Sequence, residues 1–239
     1  MDAPVPDCLR CWRGWPFLCF EEQEMSLLRK ITNGVTDESI YRRIGWMYVS
    51  FFLLYVSVTA LSYYLLPEGI FRGKHPIISR LQFAPNVWVS TLQIFGYNLI
   101  PTTLIIACNL LAQQSRWVKE RFVPIGYTAF WGLTIVFAVI TGSWSFGVAT
   151  AAPPLHYRLV GMFDILHRSG LLEFSAYLLA AVVSFKFTLW YSDRKTIIAS
   201  RNWREVKLTK SEKVFLLLAF VLLFCGAYVE SCRIIQLTG

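Results

Sequence analysis

Three cysteines near the N-terminus are the first residues whose spacing is typical of a chemical site. Cys8 and Cys11 form a C-x-x-C pair, and Cys19 follows in the same segment. Such a pair can bind zinc or exchange disulfides. A structural zinc site takes four ligands, however, and this segment offers three cysteines and no histidine. Three interpretations stay open: a metal or redox site, acylation, and packing at the membrane interface beside Trp12 and Trp15.

A glutamate inside an apolar stretch is the second candidate. Glu173 lies in "HRSGLLEFSAYLLAAVVSFKF", a segment long and apolar enough to cross a bilayer. A carboxylate in hydrocarbon is costly, which makes it a candidate for function. If the helix begins at Ser169 or Gly170, Glu173 falls in its first turn, where unpaired N–H groups and the helix dipole stabilise an anion. The sequence thus allows a capping role or a functional one.

Two asparagines in one apolar stretch are the third candidate. Asn98 and Asn109 are 11 residues apart, or three helical turns, so they share one helix face. Pro101 between them removes a backbone donor and predicts a kink, and Thr102 and Thr103 can satisfy the freed carbonyls. This face either packs against other spans through hydrogen bonds or forms a polar path or binding surface.

The composition predicts the elements that position these residues. Hydrophobic residues make up 55% of the 239 residues and charged residues 16%, whereas a soluble domain has about a quarter charged. We predict an all-α polytopic membrane protein with five transmembrane helices, at about residues 45–66, 90–112, 125–148, 169–191 and 214–236. Residues 1–44 are then a cytoplasmic or interfacial segment with an amphipathic helix at 17–33, and residues 45–239 form the membrane domain.

The distribution of positive charge predicts how the helices are oriented. Of the 23 Lys and Arg residues, 16 fall in the N-terminal segment and the second and fourth loops, and six fall on the other side. The positive-inside rule then places the N-terminus in the cytoplasm and the C-terminus outside. Lys186 falls within the fourth span, where its stem can extend to the cytoplasmic surface. The net charge of +8 therefore needs no nucleic-acid partner.

Polar groups gather on the predicted outer side. Residues 151–169 are too apolar for an exposed loop, which predicts a short helix or a re-entrant segment there. Glu230 and Arg233 are three residues apart and are predicted to form an ion pair on one helix face. A hydrated cleft that binds a partner, a metal site and ordinary interface chemistry all fit this side, which also holds His75, His156, His167, Asp164, Arg158, Arg168 and Glu173.

The stretch "SGLLEFSAYLLAAVVSF" resembles the signature of the stage II sporulation protein M family. Gly170, Glu173 and Ala176 fit the motif, in which Ser169 occupies the histidine position and His167 lies two residues earlier. Asn98 falls where the family tends to place an asparagine, and Gly142 and Gly147 fall at its glycine-rich turn, with Thr141 in place of an asparagine. The agreement covers about residues 85–192. The resemblance implies an all-helical membrane protein without catalytic activity, which gathers cell-envelope hydrolases or assembles with ABC-type export systems.

The predicted function is therefore a non-enzymatic membrane scaffold or transport-complex subunit with no cofactor. Its partners are other membrane proteins, such as an ABC permease or ATPase or an envelope hydrolase, and possible copies of itself. The chain lacks the G-x-x-x-x-G-K-[ST], H-E-x-x-H and G-x-S-x-G motifs.

The alternative is a small oligomeric transporter with a polar path between spans two and four. A thiol enzyme using Cys8 and Cys11 is disfavoured because that side is reducing. A bacterial cytoplasmic membrane is the default location, and a thylakoid or archaeal membrane fits equally.

Overall fold

Five helices long and apolar enough to cross a membrane dominate the computed structural model, which describes residues 27–72, 84–145, 152–193 and 196–238. The number of predicted spans is thereby confirmed. Two shorter helices are α1, which includes residues 27–35, and α5 (Leu155–Val160). The five long helices are α2 (Ile40–Leu65), α3 (Val87–Cys108), α4 (Ile125–Gly142), α6 (Gly170–Ser184) and α7 (Lys210–Thr238).

The long helices alternate in direction along the chain. The first turns of α2 and α7 meet, because Arg43 of α2 pairs with Glu212 of α7. The start of α3 lies beside the far end of α7, where the rings of Trp88 and Tyr228 are 5.5 Å apart. Helices α2, α4 and α7 therefore begin at the end of the bundle where α3 and α6 finish.

A small β-sheet corrects the all-α prediction. Its order is β2-β1-β3-β4, with β1 parallel to β3 and both outer pairs antiparallel. Backbone groups beyond the helix ends have lost their intrahelical partners, and strand pairing satisfies them. We call this end of the bundle the sheet end and the opposite end the loop end. The strands are β1 (Leu111–Gln114), β2 (Phe122–Pro124), β3 (Trp190–Ser192) and β4 (Ile197–Ser200).

The sheet also explains why two predicted spans were too long. Span two was predicted to reach residue 112, but α3 ends at Cys108 and the chain enters β1. Span four was predicted to reach residue 191, but α6 ends at Ser184. A 3-10 turn over Phe185–Phe187 follows and then β3, so Lys186 lies in the turn and not in the α-helix. Apolar composition alone does not distinguish a helix end from a short strand.

The third span ends where its small and polar residues begin. Helix α4 stops at Gly142, six residues before the predicted end at 148. The N–H of Ser143 bonds to Val139 in the last helical turn, and Trp144 then adopts a left-handed backbone with φ of +48°. Gly142, which the resemblance places at a glycine-rich turn, is therefore the last residue of α4. Gly147 lies outside the described residues.

Helix α6 is the centre of the bundle. All of its residues from Phe174 to Ser184 are buried except Ser175. A helix that is apolar all round belongs inside a bundle, and the small side chains of Ala176, Ala180 and Ala181 allow neighbouring helices to approach. The ring of Phe174 contacts aromatic rings of α2 and α4, at centroid distances of 4.8 to 6.4 Å from Phe51, Phe130 and Phe137.

Candidate functional site

The candidate site is a line of hydrogen bonds between α3 and α6, which we call the polar seam. Its upper part joins Asn98, Glu173 and Tyr177. The Nδ2 of Asn98 donates to Oε1 of Glu173 at 2.9 Å, and the hydroxyl of Tyr177 donates to Oδ1 of Asn98 at 3.0 Å. The amide therefore uses its donor and its acceptor on two side chains of α6, four residues and about one turn apart.

The lower part of the polar seam is formed by the second asparagine. The Nδ2 of Asn109 donates to the Ala181 carbonyl at 2.8 Å and to the Ser184 hydroxyl at 2.6 Å. The hydroxyl of Thr188 donates to the Asn109 carbonyl at 3.0 Å. Both asparagines thus face α6, as the three-turn spacing predicted. The structure uses this face for hydrogen bonds between helices.

Glu173 lies near the middle of the bundle. It is in the first turn of α6, and its N–H bonds to the Ser169 carbonyl, so the predicted helix start is confirmed. Its partner Asn98 is 11 residues into the 22-residue α3, which is ~16 Å from the start of that helix at 1.5 Å per residue. Helix α6 has only 15 residues and is ~22 Å long, so its first turn lies inside the bundle. The Glu173 carboxylate is therefore deeper than the cap at a span end that the sequence allowed.

The segment before α6 explains this depth. Phe163 stacks on Phe52 with ring centroids 5.6 Å apart. Phe52 is 13 residues before the last residue of α2, which places it ~20 Å from that end. Met162 is buried, and its sulfur lies next to Gly170. Residues 155–169 therefore form a short helix and a turn that enter the bundle from the loop end, and the short helix predicted for this segment is confirmed.

Two glycines bring neighbouring helices close to the polar seam. A methyl group at Gly126 of α4 would overlap the Ile105 carbonyl and the Asn109 side chain. A methyl group at Gly226 of α7 would come within 3.0 Å of Cγ of Glu173. Small residues at such positions permit close packing of membrane helices. Helix α4 therefore packs against the lower part of the polar seam at Asn109, and α7 packs against the upper part at Glu173.

A second polar contact connects the start of α6 with α7. The hydroxyl of Ser169 donates to Oε2 of Glu230 at 3.4 Å. The same carboxylate lies 3.6 Å from Arg233, so the predicted ion pair is confirmed. Ser169 occupies the residue before α6 and makes no side-chain cap to it. Ser169 and Glu173 therefore link α6 to two different helices.

The remaining polar residues of the predicted outer side are separate from the polar seam. His167 is exposed, and its backbone N–H and ring nitrogen contact Asp164 at 3.1 Å. Arg158 is buried, and its guanidinium donates to the Gly142 and Pro153 carbonyls. Within the described parts of the chain, no three His, Cys, Asp or Glu side chains are placed to hold a metal ion. Cys8, Cys11, Cys19 and His75 lie outside those parts.

One buried ion pair at the sheet end was not predicted. Arg43 is fully buried, its Nη2 lies 3.1 Å from Oε1 of Glu212, and its Nη1 donates to two carbonyls before α2 at 2.9 Å. The other oxygen of Glu212 accepts from the Thr209 N–H at 2.8 Å, and the Glu212 N–H donates to the Thr209 hydroxyl. This is a capping box, and its T-x-x-E spacing at residues 209–212 was visible in the sequence.

Protein-family models, curated proteins and solved structures were compared with this chain, and none of them matches. The resemblance to the stage II sporulation protein M family therefore stays a prediction based on the sequence motif. The structure places two residues of that motif, Asn98 and Glu173, in direct contact.

The chemistry available to the polar seam is hydrogen bonding. Glu173 accepts a hydrogen bond from the neutral amide of Asn98. The rest of α6 is mostly buried against neighbouring helices. Intramembrane hydrogen bonds of this kind contribute about 0.6 to 2 kcal/mol each. The arrangement can fix the relative position of α3, α6 and α7.

Proposed function

We propose that this chain is a non-catalytic integral membrane subunit that assembles with other membrane proteins. The observation that carries the proposal is the hydrogen bond between Asn98 and Glu173. Both are residues of the motif that resembles the stage II sporulation protein M family, and they are 75 residues apart in the chain. Because this contact joins two helices, it favours a structural role for Glu173 in a rigid bundle that binds other proteins. It disfavours a role for Glu173 as a nucleophile or a general acid.

The turn that enters the bundle from the loop end offers the surface on which we place the partner. The turn between α5 and α6 exposes Phe163, Ile165 and Leu166, and the last of these is 79% exposed. Asp164 and His167 lie on the same turn and give it polar groups. An exposed turn with apolar and polar side chains, supported from behind by buried Met162, suits contact with another protein.

The identity of the partner follows from the resemblance. By that resemblance the partner is an ABC-type permease or ATPase, or an envelope hydrolase, and the location is the bacterial cytoplasmic membrane. A thylakoid or archaeal membrane fits the same features. The excess of Lys and Arg at the sheet end supports a cytoplasmic sheet end and N-terminus, with the loop end and C-terminus outside.

The transporter alternative has one observation in its favour. Glu173 lies at mid-depth beside a helix start, and substrate sites of transporters with broken helices lie at the same depth. The hydrogen bonds of Asn98 and Asn109 to α6 oppose it, because these amides are used within the bundle. We therefore keep transport as the second candidate.

The deciding experiment is isolation of the tagged protein from its native membrane in mild detergent, with mass spectrometry of the proteins that accompany it. Recovery of a stoichiometric ATPase, permease or wall hydrolase would establish the subunit function. A Leu166→Asp variant should reduce recovery, whereas Leu27→Asp, at an exposed position of α1 outside the five long helices, is the matched control.

A result without partners is equally informative. If only copies of the chain are recovered, and liposomes containing it show solute flux that depends on Glu173, the subunit proposal is wrong and the transporter takes its place. Flux without partner proteins is the outcome that separates the two functions.

A further inference from the structure

The sheet lies directly against the ends of the membrane helices. Strand β1 begins three residues after α3 ends, and β2 runs into α4 without a linker. Three residues of extended chain span at most ~10 Å. The polar headgroup layer on each side of a bilayer is about 5 to 8 Å thick. If α3 ends and α4 begins at the boundary of the hydrocarbon, the sheet falls at the depth of the lipid headgroups.

Large apolar side chains are exposed around this sheet. All four residues of the edge strand β4 are exposed. The ring of Trp203 packs 5.8 Å from that of Phe187, just below α6, and is still 56% exposed. Tryptophan is enriched at the boundary between lipid and water because its ring is apolar and its N–H is polar. The exposed apolar side chains are Trp117, Trp190, Ile197, Ile198 and Trp203.

Positive charge surrounds these apolar side chains. The turn between β1 and β2 carries three exposed cations and one exposed acid, Glu120. The connection from β4 to α7 carries further exposed cations, and its one acid, Glu205, pairs with Arg201. Glu212, in the first turn of α7, pairs with buried Arg43. Exposed cations therefore outnumber exposed acids in these two segments. The exposed cations are Arg116, Lys119, Arg121, Arg204 and Lys207.

We infer that the sheet end is a binding surface for anionic lipid headgroups. We define this headgroup surface by Trp117, Trp203, Ile197 and the cations Arg116, Lys119, Arg204 and Lys207. Its charge requires an anionic occupant, and a second copy of the chain would bring like charges together. Its depth and its exposed tryptophans favour lipid over an acidic polypeptide. Juxtamembrane cations attract anionic lipids in this way.

The test uses the purified full-length chain in non-ionic detergent. Native mass spectrometry would measure the binding of phosphatidylglycerol and of phosphatidylcholine with identical acyl chains. The variant carries Arg116→Gln, Lys119→Gln, Arg204→Gln and Lys207→Gln. The matched control exchanges the cations at the same four positions, as Arg116→Lys, Lys119→Arg, Arg204→Lys and Lys207→Arg. All four side chains are exposed, so both proteins should fold.

We expect the wild type to prefer phosphatidylglycerol and the charge-exchanged control to keep that preference. The glutamine variant should bind phosphatidylglycerol more weakly, by about fivefold for each cation removed, which is the attraction of one Lys or Arg at a membrane surface. Added salt should reduce the preference. Equal binding of the two lipids by the wild type, or no loss in the glutamine variant, would overturn the inference.

One further outcome identifies a different occupant. If a poly-glutamate peptide binds the wild type and not the glutamine variant, while the two lipids bind equally, the surface recognises an acidic polypeptide and the lipid assignment is wrong. This test does not use the partner captured by the turn between α5 and α6, so its failure leaves the proposed subunit function intact.

Discussion

The Nδ2 of Asn98 lies 2.9 Å from Oε1 of Glu173, at the middle of the membrane bundle. The two residues belong to different helices, and their contact places the first turn of α6 against the centre of α3. A carboxylate at this depth would be costly in lipid. In the structure the carboxylate accepts a hydrogen bond from the Asn98 amide, and Gly226 of α7 packs against the Glu173 side chain.

The first prediction concerns the two simplest replacements of the carboxylate. Glu173→Gln should be milder than Glu173→Leu, because a glutamine oxygen can still accept the hydrogen bond from Asn98. The leucine variant should lower the free energy of unfolding by about 0.6 to 2 kcal/mol relative to the glutamine variant. Unfolding in detergent, followed by circular dichroism, measures the difference. If both variants fold and insert normally but lose partner recovery equally, the charge itself is required.

The second prediction concerns the coupling between the two helices. A double-mutant cycle of Asn98→Ala and Glu173→Ala should give an interaction energy of about 0.6 to 2 kcal/mol. Tyr177→Phe removes one hydroxyl and keeps the ring, so it should cost about 0.5 to 1.5 kcal/mol. Additive effects of the two alanine substitutions would show that the hydrogen bond contributes nothing to stability.

The third prediction concerns helix packing beside the polar seam. Gly126→Ala should destabilise the bundle by about 1 to 3 kcal/mol, because the added methyl group meets the Ile105 carbonyl and the Asn109 side chain. Gly132→Ala is the matched control on the same helix, because no atom lies within 4 Å of the added methyl group. The control should stay within about 1 kcal/mol of the wild type. Equal unfolding midpoints for the two variants would contradict the close approach of α3 and α4.

The fourth prediction compares two neighbouring arginines. Arg43→Leu should cost about 3 to 5 kcal/mol, because it leaves Glu212 buried without its cation. Arg42→Leu should cost less than about 1 kcal/mol, because the Arg42 side chain is 75% exposed and its pair with Asp37 is in water. Detergent unfolding of the two variants measures the contrast. A small effect at Arg43 would mean that α2 and α7 do not depend on this pair.

The fifth prediction concerns pH. The backbone N–H of Ser39, with the Arg42 guanidinium nearby, holds the pKa of Asp37 below its usual value. Because the folded pKa is the lower one, ionised Asp37 stabilises the fold at pH above the unfolded value of about 3.9, and this contribution is lost as the pH falls through the folded value.

Asp37→Asn should therefore remove part of the acid-induced loss of stability below about pH 4. Glu38→Gln, at the exposed neighbouring position, is the matched control for removal of one negative charge from this turn. Unfolding midpoints measured between acid and neutral pH test the difference. A profile that is identical for wild type and Asp37→Asn would contradict the role of this carboxylate.

Features with a local cause were predictable from the sequence. The five spans follow from the length of apolar runs, the first-turn position of Glu173 follows from where the helix can begin, and the pair of Glu230 with Arg233 follows from helical spacing. The three-turn spacing of Asn98 and Asn109 likewise predicted a shared face. Each depends on residues close together in the chain.

Features that depend on how distant segments meet were decided by the tertiary structure. These are the partner of Glu173, its depth within the helix bundle, the four-stranded sheet and the buried pair of Arg43 with Glu212, whose members are 169 residues apart. The relative height of two helices is fixed by side-chain packing and by the short re-entrant segment before α6. The sequence determined which segments enter the membrane, and packing determined which polar groups meet inside it.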